Sequence, residues 1–259
     1  EDKYTIGMPT EVAQVFTETM APGDGNAEIL SQLPANSTSV TVYNLKQPQI
    51  AWRSLLLTAQ KGTDAISGKL ISEFAGMFFE PYGIRSPETF LSSISSTIVT
   101  TKFGADGEQP VVIAKITDSK VVKTSFVESL KPDKEPFGID RVEHWSEPDG
   151  DLAVGFVGGW VILGDNDGVT KCLEDKPDGG FAADKFFNKK DAAVVTLERE
   201  LSSEYSFLIN LLATPSDIAS PSSMNYFTES RFTKTGIDRR TTSDFGLIGS
   251  IIAQLGGDD

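Results

Sequence analysis

Residues 163–174, Leu-Gly-Asp-Asn-Asp-Gly-Val-Thr-Lys-Cys-Leu-Glu, come nearest to a chemical motif in this chain. They set Asp165, Asp167, Gly168 and Glu174 at positions 3, 5, 6 and 12 of the twelve-residue calcium loop. Oxygen ligands at that spacing can wrap a hard cation. Leu163 stands where the first carboxylate belongs, so one ligand is missing and an apolar side chain points toward a core. The flanks read as a strand before and a short helix after, not as two helices. A strand–turn–helix junction with Asp167 as the cap is the plainer reading and outweighs calcium.

The scarce residue types remove most other chemistries. His144 is the one imidazole and Cys172 the one thiol. A disulfide within the chain, a CxxC redox pair and a multi-cysteine zinc site are therefore excluded. HExxH chemistry fails for want of a second histidine. A Ser–His–Asp triad could use His144, but no GxSxG elbow accompanies it. His144 sits in Val-Glu-His-Trp-Ser, which alternates like a strand, so it reads as a histidine on a sheet face. Cys172 reads as a buried structural thiol on a short helix. Asp244-Phe245-Gly246 spells the kinase metal motif without its His-Arg-Asp partner, and an N-cap before an apolar helix explains it better. Gly23-Asp24-Gly25 is a turn, and Asn36-Ser37-Thr38 matches a glycosylation sequon by chance. Among 37 carboxylates a glycosidase-like pair about 5–10 Å apart cannot be picked out by sequence.

One surface feature stands out. Residues 226–245 carry Arg231, Lys234, Arg239 and Arg240 against Glu229, Asp238 and Asp244. That is +1 locally, leaving −15 for the rest of a chain whose net charge is −14. The Arg/Thr-rich stretch 239–243 lacks an apolar alternate face. It reads as a solvated sheet edge whose charges block strand-to-strand aggregation, with an anion or partner site as the competing reading.

These residues need a scaffold, and the chain is long enough for one large or two small domains at 259 residues. Hydrophobic residues make up 39%, enough to build a core and to exclude a disordered chain. The strong negative charge disfavours nucleic acid as a ligand. No apolar run approaches the ~18 residues that a membrane-spanning helix needs. The opening Glu-Asp-Lys-Tyr suggests a trimmed start, with any signal or anchor segment outside this sequence.

The spacing predicts a helix over 10–20 and a short one over 27–33, then a strand at 39–43. A helix opening at Pro48 carries Trp52, Leu55, Leu56 and Ala59. Thr63 or Asp64 caps the next, with Ile66, Leu70, Phe74, Met77 and Phe78 on one face. The cluster 77–79 is read as core packing rather than as a lipophilic ligand box. Ser86-Pro87-Glu88 opens a third helix. A hairpin at 97–116 and a helix carrying Val122, Phe126 and Leu130, capped by Asp118 or Ser119, come next. Strands at 142–146, 152–157 and 160–163 follow. Beyond these lie helical segments at 181–187 and 205–212, a strand at 192–197, the last hairpin, and a helix with Ile248, Ile251, Ile252 and Leu255.

That order does not alternate like a doubly wound sheet. It predicts the α+β class, with helices packed on mainly antiparallel sheets. The divisions are an N-terminal helical segment 1–36, an α+β unit 37–180 and a smaller one 181–259, which can share one compact domain. Val40-Thr41-Val42 and Val194-Val195-Thr196, roughly 155 positions apart, each lead into a helix, so two similar strand–helix–hairpin halves remain open.

Several phrases occur together: Leu33-Pro34-Ala35-Asn36-Ser37 before a strand, Asn44-Leu45 before a Trp-bearing helix, Tyr82-Gly83-Ile84 before Ser86–Leu91, and the Thr/Arg hairpin ending 231–249. Together they resemble an uncharacterised family of secreted or membrane-anchored bacterial proteins of acidobacterial type. In that family Asp-Thr is usual where Asn36-Ser37 stands, and Asp where Asn44 stands. The resemblance implies an extracytoplasmic α+β protein and carries over no catalytic residue. The expectation is a non-catalytic binding or structural module at the bacterial cell envelope. It would have no cofactor, and its partner would be an unidentified protein or envelope component. A carboxylate hydrolase and a carrier of a small apolar ligand are the competitors.

Overall fold

The computed structural model describes residues 1–22, 33–34, 37–61, 63–103, 110–133, 142–148, 150–174, 191–200 and 224–243. The segments predicted as helices at 27–33 (apart from Leu33), 181–187, 205–212 and 244–255 lie outside the described residues, as does the hairpin loop 104–109.

Among the described residues, eleven strands form one antiparallel sheet. They are β1 (Asp2–Gly7), β2 (Ser39–Asn44), β3 (Ile94–Lys102), β4 (Val111–Ile116), β5 (Lys131–Pro132) and β6 (Glu143–Ser146). β7 (Leu152–Val157), β8 (Trp160–Asp165), β9 (Val194–Glu200), β10 (Met224–Thr233) and β11 (Gly236–Ser243) complete them. Their spatial order is β1-β11-β10-β9-β2-β3-β4-β8-β7-β6-β5. The helices are α1 (Thr10–Thr19), α2 (Pro48–Lys61), α3 (Ala65–Phe74), α4 (Pro87–Ser92), α5 (Ser119–Thr124) and α6 (Asn166–Glu174). Two 3-10 turns, Ala75–Phe78 and Glu80–Tyr82, follow α3. This is the α+β class.

The sheet is buried on both faces around β8, which is why 160–163 reads as a continuous apolar run. Alternation sends Trp160 and Ile162 to one face and Val161 and Leu163 to the other. The first face gathers Val40, Val42, Val99, Ile113, Val195 and Leu197 under the α6 residues Val169 and Cys172. The second gathers Val154 and Ala114 against Phe90 and Leu91 of α4, Val122 of α5 and Phe126. Each fully buried aliphatic side chain of this kind contributes about 1.5–3 kcal/mol. Gly158 and Gly159, at φ +54° and +85°, make the β7–β8 turn, whose left-handed backbone matches the strand twist.

Three details depart from the sequence reading. The helix over Val122, Phe126 and Leu130 stops at Thr124, although Phe126 and Leu130 stay buried and Phe126 bridges to Ile84. β11 is not an edge: β1 pairs along it, with Lys3 opposite Arg240 and Tyr4 opposite Arg239. β1 therefore takes the outer position. At the junction 163–174, Asp165 rather than Asp167 caps α6, accepting the Gly168 N–H at 2.7 Å.

Candidate functional site

α3 presents the most unusual surface. Asp64 starts it by accepting the backbone N–H groups of Ile66 at 3.0 Å and Ser67 at 3.1 Å. Helical periodicity then puts Ile66, Leu70 and Phe74 on one side, and the following 3-10 turn extends that side through Met77 and Phe78. The sequence reading put these five on one helix face and took the cluster 77–79 as core packing. The structure places them on the surface, with Ile66 75%, Phe78 74%, Phe74 54%, Met77 51% and Leu70 44% exposed. The side turned inward holds the small residues Gly68 and Ala75 beside a half-buried Ile71. Gly68 is buried, and a Cβ added there would lie 3.5 Å from the Gln60 carbonyl at the end of α2. Ala75 is buried as well. The correction has a simple cause: small residues let α3 lie close to α2, so the bulky side chains are left pointing away.

α2 borders this surface through Trp52. Ile50, Leu55 and Leu57 are exposed, and Trp52 meets Phe78 and Phe79 edge-on at ring distances of 6.4 and 5.0 Å. Arg53 on α2 is tied to Glu88 of α4 through Nε at 2.8 Å and Nη2 at 2.5 Å.

A second candidate is a cleft of about 920 Å³. Its lining includes the carboxylates Glu80, Glu147, Asp151, Asp165 and Asp167, with Arg85 and Lys171. None of the five exposed α3-face side chains lines it. Asp165 is engaged as the α6 cap, and Asp167 pairs with Lys171 at 2.6 Å one turn on. Glu174 lies at the far end of α6, seven residues from Asp167 or about 10 Å along the axis, so one ion could not span both. Leu163 is buried, as its apolar nature requires. Among the described residues no group of three or more His, Cys, Asp or Glu is placed to hold a metal ion. Cys172 is buried on the sheet-facing side of α6, and desolvation, with Asp165 nearby, pushes its thiol up to about 12.

His144 is buried on β6 with Nδ1 2.7 Å from Asp133 Oδ2. Ser146, two residues along the same strand face, donates its hydroxyl to Asp133 Oδ1 at 2.8 Å. The three residue types of a hydrolytic triad thus meet in the wrong order. A triad hydroxyl bonds the imidazole that will take its proton. Here the carboxylate stands between the two, so the cluster ties the β5 end of the sheet together instead. Sequence reasoning missed this contact because Asp133 lies in a loop after β5.

The hairpin cations are largely engaged within the chain. Arg231 reaches Asp191 at 3.3 Å. Arg240 reaches Glu1 at 2.7 Å and the buried Glu229 at 3.9 Å. Arg239 lies 5.8 Å from the centre of the Tyr4 ring. Lys234 is exposed at the β10–β11 turn. The bond from Arg240, then that from Lys3, holds the Glu1 carboxyl down at about 2.

No protein-family model matches the sequence, and comparison with curated proteins finds no match. Two solved structures align with the chain. Crystal form III of TP0453 is 11% identical, with a TM-score of 0.35 over 78% of this chain and 74% of that one. Crystal form IV of TP0453 is 10% identical, with a TM-score of 0.36 over 90% and 97%. A likeness at this level leaves function to be argued from the chain itself.

Proposed function

We propose that this chain is a non-catalytic binding module working outside the cytoplasm, at the bacterial cell envelope. The observation that carries the reading is the row of five bulky apolar side chains displayed on α3 and the turn after it. A contiguous apolar face of this size on an otherwise acidic molecule is a site of interaction. The Ser146–Asp133–His144 wiring supports a structural role for this cluster, since the Ser146 hydroxyl is spent on the Asp133 carboxylate. The envelope location draws on the resemblance of several phrases to those of secreted bacterial proteins, and fractionation of cells making the protein tests it.

The experiment on binding compares the wild-type chain with Ile66→Glu/Phe78→Glu. Loss of retention on immobilised envelope fractions, with an unchanged melting temperature, supports the reading. Equal retention by both overturns it.

The acidic cleft favours one second reading, a carboxylate hydrolase. On that reading Glu147→Gln or Asp151→Asn abolishes hydrolysis of a panel of chromogenic glycosides. On the binding reading the wild-type chain hydrolyses none of them. The same five carboxylates argue against a carrier of a small apolar ligand, because such a ligand would have to strip them of water.

A further inference from the structure

The binding reading leaves open what covers the α3 face, and the packing of α3 narrows the choice. A helix on a water-soluble surface turns its bulky apolar residues inward and its small or polar ones outward. α3 keeps the ion pair Lys69–Glu73 outward and Ile71 half-buried, yet it turns most of its bulky apolar residues outward as well. Gly68 and Ala75 face inward, while Ile66, Leu70, Phe74, Met77 and Phe78 face out. Small residues at the helix contact and large ones outward is the arrangement of helices whose surroundings are hydrocarbon.

Charge separates the remaining occupants. Over residues 47–82, Arg53, Lys61 and Lys69 balance Asp64, Glu73 and Glu80, so the face is neutral in a chain of net charge −14. A second copy would bring two such chains together against their mutual repulsion. An anionic bilayer would repel the chain in the same way, and the face carries no basic cluster to overcome it. A small apolar ligand would need a cavity lined by these side chains, and the 920 Å³ cleft is lined by none of the five. A neutral lipid surface asks for no countercharge and receives a row of protruding side chains at its headgroup–acyl boundary. Lys69, with 78% of its side chain exposed, stands beside the row and pairs with Glu73 at 3.6 Å one turn on, so this pair adds no net charge to the face.

We infer that α3 and the 3-10 turn after it seat on a zwitterionic lipid surface, with the five apolar side chains inserted and the sheet held outside. The inference rests on the binding reading above and names its partner. α3 has 10 residues, about 15 Å of helix, half the hydrocarbon thickness of a bilayer, so its contact is one of lying on the surface.

The test is flotation of the whole chain with phosphatidylcholine vesicles, with and without about 30% phosphatidylglycerol. The expected result is that wild type floats with the neutral vesicles and Ile66→Glu/Phe78→Glu lowers the bound fraction about tenfold or more. Tyr4→Ser, at another exposed apolar residue remote in the sheet, leaves binding unchanged. Adding the anionic lipid at low salt weakens binding. Absence of flotation at excess lipid, equal flotation of the double variant, or binding only to anionic vesicles overturns the inference. Sedimentation of the same samples separates it from the broader reading. A dimer that the double variant dissolves assigns the face to a second copy, so the lipid assignment falls and the binding reading survives. A wild-type chain that neither floats, self-associates nor is retained on envelope fractions ends both.

Discussion

β8 and α3 both carry isoleucine, leucine or aromatic residues at regular intervals, and the fold treats them in opposite ways. In β8 the period of two divides Trp160 and Ile162 from Val161 and Leu163, and a covered sheet face waits on each side. In α3 the period of 3.6 gathers the bulky residues on one side and the small ones on the other, and the small side wins the contact with α2. Periodicity defines a face. What the face meets is decided by how closely the neighbouring element can approach, and that depends on the residues between the bulky ones.

Substitutions can test this contrast. Ile162→Ala removes a fully buried side chain from the middle of the sheet and should cost about 2–5 kcal/mol, read as a fall in the urea midpoint. A loss below about 1 kcal/mol would mean that the sheet centre is loosely packed. Gly168→Ala asks whether closeness is what matters: its Cβ would lie 2.5 Å from Val111 Cγ2, where α6 meets β4. The expected loss is about 1–3 kcal/mol by calorimetry, because the stiff valine cannot yield freely. Ile66→Ser with Phe78→Ser should change stability by no more than about 0.5 kcal/mol, since both side chains already stand in water. A loss comparable to that of Ile162→Ala would erase the contrast.

The smallest effect concerns the sheet edge. The Glu1 carboxyl is lowered from its ordinary 4.5 to about 2 by bonds from Arg240 and Lys3. A carboxyl with a depressed folded value stabilises the fold above its ordinary value, and that contribution is lost as pH falls through the folded one. Between about 4.5 and 2, β1 should therefore loosen, seen as faster amide exchange at residues 2–7. Unaltered exchange over that range would show that the ladder to β11, not the ion pair, holds the edge.

Much of the sheet was legible because its strands are β-branched and alternate. Val40-Thr41-Val42, Leu152–Val157 and the hairpin around Gly236 announce themselves locally. β1 did not, since Asp-Lys-Tyr-Thr-Ile-Gly has no buried face and owes its place to a partner more than two hundred residues away, where Thr5 donates to Asp238 across a separation of 233. The α3 stripe was legible as a helix face but not as an exposed one. Its five bulky residues look the same in either setting, and the deciding contact is that of Gly68 with the end of α2. The Asp133–His144–Ser146 cluster was illegible for a related reason: it joins a strand to a loop eleven residues earlier, with no motif between them.

At the centre of the sheet β2 pairs with β9, Thr41 opposite Thr196, with the two hydroxyls 3.1 Å apart. A chain emerging from the ribosome can lay down β2, β3 and β4 early, yet one rim of β2 must stay unzipped until residues 155 places later are made. For that interval a nascent molecule offers a bare ribbon of amides and carbonyls to any passing strand. The same pairing makes a prematurely terminated product sticky, a hazard that synthesis speed and chaperone supply would govern more than the finished fold does.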